Sequence, residues 1–173
     1  RNKNLYSTLE HLLQKGRDRS ALFVLFCISG IDEVREQLVD SSLITVMLQM
    51  KEHIFQRLQI FTLLCLSENF CLRTKHMDGI THLLVSALSN KDLNNVSMRL
   101  IGALSSHSTG VQVLMDNGVL ELFAQLFLSS SSGDTTTSHT IMRNVAKNGG
   151  EIPQVSLIVS CLMQDMLSDN AQK

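Results

Sequence analysis

The chain has 173 residues with a formal net charge of −1, and 44% of them are apolar against 18% charged. One proline and that apolar share exclude a disordered chain, and the length suffices for one domain with a real core. The near-zero charge provides no overall field toward nucleic acid or an anionic membrane, and the longest apolar run, Ala21 to Ile28, is far too short to cross a bilayer. No signal-peptide pattern stands at the start, and the opening Arg1 is read as the edge of a piece of a longer protein.

Taken in chain order, the apolar positions fall into a repeating set. From Asn4, Leu9, Leu12 and Leu13 form one face of a helix, and Ala21 to Ser29 (ALFVLFCIS) forms a second, strongly apolar one. A shorter element, Ile31 to Asp40, leads to Ser42, from which Met47 and Met50 repeat the first face. Gln59 to Ser67 (QIFTLLCLS) repeats the second face, and Asn69 to Asp78 repeats the short element. Gly79 opens a third copy with Leu84, Ala87 and Leu88, followed by Ser97 to Ser105 (SMRLIGALS) and Ser108 to Asn117. Gly118 opens a fourth with Phe123, Leu126 and Phe127, then Ser138 to Ala146 (SHTIMRNVA). Steps between the openings are 38, 37 and 39 residues, and the second column keeps 38, 38 and 41. The longer last step reflects the insertion Ser129 to Ser138, a Ser/Thr-rich surface loop by composition. Gly79 and Gly118 suit sharp turns between helices, and Gly149-Gly150 reads as a helix stop. Gly150 begins a shortened fifth copy with Val155, Ile158 and Val159. A period of this length means stacked units, because no single unit can bury its apolar faces alone.

The chemistry-bearing residues form no catalytic or metal constellation. Cys27, Cys65, Cys71 and Cys161 show no Cys-x-x-Cys pair and lie in apolar runs, as reduced structural cysteines do, which points to the cytoplasm, with the nucleus as a second setting. His76 and His82 flank Gly79 without a carboxylate or cysteine at ligand spacing. The scattered basics Lys51, Arg57, Arg73 and Lys75 read as a solvated face.

The three-helix unit resembles the armadillo repeat, with HEAT repeats as near neighbour. Gly118-Val-Leu-Glu-Leu-Phe-Ala-Gln-Leu-Phe127 follows that family's Gly-apolar-x-Pro-x-Leu-x-x-Leu-Leu middle helix, Gly79 to Leu88 follows it nearly as well, and the Gly150 copy carries the proline at Pro153. The resemblance implies an all-α, right-handed superhelical solenoid of about four three-helix repeats. They cover 4–29, 31–67, 69–105 and 108–147, with a partial repeat or cap at 150–167 closing one domain, 1–167, before a polar tail, 168–173. Third helices are expected near Arg19–Ser29, Glu52–Ser67, Asn94–Ser105 and Thr137–Lys147. Leu25, Leu63, Ile101 and Met142, and likewise Ile28, Leu66, Leu104 and Val145, are expected at equivalent buried places.

In the family, a tryptophan and an asparagine four residues apart project from each third helix into a groove. By position, the tryptophan column holds Phe23, Phe61, Arg99 and Thr140, and the asparagine column holds Cys27, Cys65, Ala103 and Asn144. With no tryptophan and one asparagine, the pattern departs from importin-like capture of basic peptides. The resemblance instead implies a non-enzymatic scaffold or adaptor that binds a partner helix or peptide on the concave third-helix face through Phe23, Phe61, Arg99, Arg143 and Asn144. Packing of the two phenylalanines against neighbouring helices is the plainer alternative for them. A spacer or end-cap of a longer helical-repeat protein is the alternative function. No cofactor, metal, nucleic acid, membrane or small-molecule substrate is expected.

Overall fold

The computed structural model describes residues 3–16, 18–75, 77–129 and 135–149. Among these the chain is entirely helical: α1 (Lys3–Gln14), α2 (Asp18–Ser29), α3 (Asp32–Val39), α4 (Leu43–Gln49), α5 (Ile54–Leu64), α6 (Glu68–Thr74), α7 (Asp78–Leu88), α8 (Asn94–Ser105), α9 (Ser108–Asp116), α10 (Val119–Ser129) and α11 (Thr135–Lys147). The expected segment 150–167, the tail and positions 130–134 of the Ser/Thr loop lie outside the described residues; the rest of that expected loop is helix, Ser129 ending α10 and Thr135 opening α11, with Ser138 buried.

Helices pack on the one three places further along the chain. α1 meets α4, α4 meets α7 and α7 meets α10; α2, α5, α8 and α11 form a second column, and α3, α6 and α9 a third. The core lies between the columns, built from the faces that helical spacing assembles: Leu9 and Leu13, Met47, Leu84 and Leu88, and Phe123 of the first column face Leu22 and Leu25, Leu58 and Leu64, and Leu100 and Leu104 of the second.

Backbone ends are satisfied by short local devices. Ser67 caps α6, its Oγ accepting from the Phe70 amide at 3.3 Å. Asn117, after α9, donates Nδ2 to the Val113 carbonyl at 2.9 Å, and Gly118 then takes φ +66°, a left-handed turn that suits glycine. Gly149 stops α11 in the same way, at φ +76°. Gly79 differs from the expected turn: it lies inside α7, where a Cβ would come within 3.3 Å of Leu48 Cβ, so its smallness serves the approach of α7 to α4. Arg57, expected on a solvated face, is buried; its Nη1 donates to the Met47 carbonyl at 2.8 Å in the last turn of α4, and desolvation lowers its pKa. Arg73 similarly holds the end of α3 through the Val39 carbonyl and Asp40.

The largest departure from expectation is in α5. Leu25, Ile101, Leu104 and Val145 are buried as anticipated, but Ile28, Leu63 and Met142 are half-buried and Leu66 is 63% exposed. The fully buried positions Leu25, Phe61, Leu100 and Ile141 recur instead at steps of 36, 39 and 41 residues. Helix α5 stops at Leu64, three residues early, because Ser67 is occupied as the cap of α6 and the chain turns through Leu66 N–H to Leu63 O and Ser67 N–H to Leu64 O, at 3.1 and 2.9 Å. The α5–α6 turn lets Phe70 stack on Phe61, with ring centroids 6.1 Å apart and an interplanar angle of 15°.

Three helix ends repeat that register. The residue six beyond each buried end position approaches its carbonyl: Arg35 Nη1 donates to Ser29 O at 3.2 Å, Cys71 Sγ donates to Cys65 O at 3.6 Å, and Gly110 packs directly on Leu104 O.

Candidate partner-binding groove

The second column buries one face and leaves another uncovered. On α2 the buried set is Ala21, Leu22, Leu25 and Ser29, which turns Phe23, Val24, Phe26 and Cys27 outward; Phe23 is 68% exposed. On α5 the buried set is Arg57, Leu58, Ile60, Phe61 and Leu64, which turns out Phe55 and presents Gln56, Gln59, Thr62 and Leu63 as half-buried floor. On α8, Asn95 and Arg99 are exposed on the same side.

These faces enclose two adjoining depressions. One, of about 690 Å³, lies between α2 and α5 and is lined by Arg19, Phe23, Val24, Phe26 and Gln56, among others. The next, of about 400 Å³, lies between α5 and α8 and is lined by Phe55, Thr62, Leu63, Asn95 and Arg99. Phe26 and Gln59 line both, so the depressions form one groove across three helices.

Of the residues expected in a groove, Phe23 and Arg99 line it. Phe61 does not: it is 0% exposed, stacked on Phe70, and cannot reach a partner. Arg143 is exposed on α11, the neighbour of α8. Asn144 is half-buried and turned inward, its Nδ2 donating to Gly102 O at 3.4 Å and to Ser105 Oγ at 3.3 Å, so it fastens α11 to α8. Thr140 is half-buried and donates to the Thr136 carbonyl at 3.0 Å. Phe26 and Phe55 are the groove residues that the sequence reading missed. The polar spacing Gln56, Gln59 and Thr62 was the available signal, since three polar residues three apart mark an outward helix face and place Phe55 and Leu63 beside it.

The cysteines divide. Cys27 is exposed on α2, against expectation, while Cys65 and Cys71 are buried and reduced. Burial and its neighbour push the Cys65 thiol up, and a hydrogen bond from Cys65 holds Cys71 below the usual thiol value. Cys161 and His76 lie outside the described residues. Among the described residues no group of three or more His, Cys, Asp or Glu could hold a metal ion, and no helix is long and apolar enough to cross a membrane.

Comparison of the chain with family models, with curated proteins and with solved structures finds no match.

Proposed function

We propose that this chain is an armadillo-like helical solenoid acting as a non-enzymatic scaffold, and that it binds a helix or peptide of a partner protein in the groove over α2, α5 and α8. The observation that carries the reading is the groove itself: Phe23, Phe26 and Phe55, three aromatic side chains, stand exposed on adjacent helices around two connected depressions. The armadillo assignment draws support from the three-places-along packing and the 38-residue sequence period. Exposed aromatics in a pre-formed concavity are what binding hot spots are made of, because burying each removes a large apolar surface from water at small entropic cost.

The test is affinity capture from cell extract with the chain and with the double variant Phe23→Ser/Phe55→Ser, after thermal melts show that both fold alike. A protein retained by the parent, depleted with the variant, and then reconstituted as a purified pair supports the reading. Retention that ignores both changes moves the partner elsewhere on the molecule and leaves the second column as a spacer.

A further inference from the structure

Resting on the reading of this groove as a docking surface, we propose that its occupant is an acidic amphipathic helix of a partner protein, oriented with its apolar anchors over α2 and α5 and its carboxylates over α8 and α11.

The charges of the second column carry the inference. Within the bounds of α5, α8 and α11 there is no aspartate or glutamate, and α2 has only Asp18 at its start. The column's exposed cations are Arg19, Arg99, Arg143 and Lys147. The whole chain is nearly neutral, so its acidic residues are concentrated away from this face. A basic segment laid here meets only like charge along α8 and α11, whereas an acidic one gains complementary potential and faster encounter.

The cations are not equivalent, and this sets the direction. Arg19 lines a pocket of about 430 Å³ together with Asp18 and Glu52, so two carboxylates stand around this one cation. Among the described residues, Arg99 and Arg143 enter no ion pair; the pairs found are Arg35 with Asp32 and Arg73 with Asp40. Among the described residues, the end over α2 and α5 is therefore apolar with its one exposed arginine flanked by carboxylates, and the end over α8 and α11 is cationic with no carboxylate on either helix. Both guanidiniums can take a carboxylate through two parallel N–H donors.

Spacing favours a helix as occupant. Packed neighbouring helices lie about 8–10 Å apart. Crossing them, a helix of 1.5 Å rise places residues i and i+7 about 10.5 Å apart on one face, close to that interaxial spacing. Anchors at i, i+3 and i+7 then enter the groove around Phe23, Phe26 and Phe55. Carboxylates one and two turns further along reach toward Arg99 and then Arg143.

A displayed library of random peptides about 16 residues long, long enough for four helical turns, tests this on the full chain. Selection is run in parallel against the parent, Phe23→Ser/Phe55→Ser and Arg99→Glu/Arg143→Glu. The expected result is enrichment of peptides with apolar residues at helical spacing followed on one side by Asp or Glu. Those peptides should fail on the phenylalanine variant and lose at least about tenfold affinity on the arginine variant. A benzophenone at the apolar end of an enriched peptide should cross-link to 18–29, and one at the acidic end to 135–147. Neutral or basic enriched peptides that still need Phe23 and Phe55 overturn the acidic occupant and leave the groove standing. Cross-links in the reverse order overturn the orientation. Enrichment indifferent to the phenylalanines, or none above background, overturns the groove reading itself.

Discussion

Gly110 and Gly102 are eight residues apart and answer opposite demands. Gly110 packs so closely on the end of α8 that an added Cβ would sit 2.1 Å from the Leu104 carbonyl oxygen and 2.8 Å from its carbon. These are backbone atoms, so relief requires moving α9 away from α8. Gly110→Ala should cost more than about 3 kcal/mol or prevent folding, as severe overpacking does. Gly102 lies within α8, where a Cβ would meet only Ile141 Cγ1 at an ordinary 3.7 Å. Replacing it removes the entropic penalty of a mid-helix glycine, so Gly102→Ala should stabilise by about 0.5–1 kcal/mol. Paired denaturant titrations of the two variants check both signs, and a mild effect at Gly110 would contradict the close α8–α9 approach. Neither role was legible in the sequence. Gly102 stands in an apolar run and Gly110 between Thr109 and Val111, and neither setting says which one touches backbone and which faces space.

Among the elements, α5 shows how far a pattern reaches. The sequence placed a helix near Glu52–Ser67 and its structure has one at Ile54–Leu64, so existence and type were legible while register was not. The match of LFCIS to LLCLS equated Cys27 with Cys65, yet the first is exposed and the second buried. Likeness of letters outweighed the polar stripe at Gln56, Gln59 and Thr62, and a two-residue slip rotates a helix by more than half a turn. The slip also put Phe61 in the groove in place of Phe55, while Phe26, on α2, was missed independently of it. The corrected register has a measurable consequence. Leu104→Ala should cost about 2–5 kcal/mol, since Leu104 is fully buried. Leu63→Ala, at the half-buried groove floor, should cost a fraction of that, as urea melts of the two will show.

Contacts between successive elements carry a titratable handle as well. Asn69 at the start of α6 donates Nδ2 to Glu36 Oε2 of α3 at 2.9 Å, and this bond, aided by one from Ser67, holds the Glu36 carboxyl below its usual pKa. A depressed folded-state pKa means that the ionised form favours folding. The contribution is therefore complete above the unfolded value and is lost as pH falls through the folded one. Replacing Asn69 with alanine should move the Glu36 titration upward toward the ordinary glutamate value, read by carboxyl-carbon NMR. An unmoved titration would mean that the α3–α6 bond does not form in solution.

At the scale of the whole molecule, the described helices pack chiefly on neighbours in their own column and on the helices beside them. The second column runs α2 to α5 to α8 to α11, and each of its helices is covered by its neighbours more than by anything distant. In such a stack stability is close to a sum of units and interfaces, and it opens from an end where one interface is missing. Helix α5 is held on both sides, by α2 and α8, and α8 by α5 and α11, whereas α1 meets α2 and α4 and has no described helix on its other side. Buried and half-buried fastenings add to the inner pair: Arg57 on the end of α4, the His107 ring nitrogen 3.0 Å from Cys65 O, and Asn144 and Asn148 on the end of α8. Amide hydrogen exchange on this 173-residue chain should therefore be slowest in α5 and α8 and faster in α1, with α2 between them. Mild denaturant should flatten the α1 protection first. The expected order follows from packing alone, since α1 and α8 are equally long helices of 12 residues and intrinsic helix length gives no reason for them to differ. Uniform protection that collapses together would mean that the columns unfold as one cooperative body. In that case the interfaces between successive helices are strong enough to carry strain from the groove over α2 and α5 to the cationic end at α11.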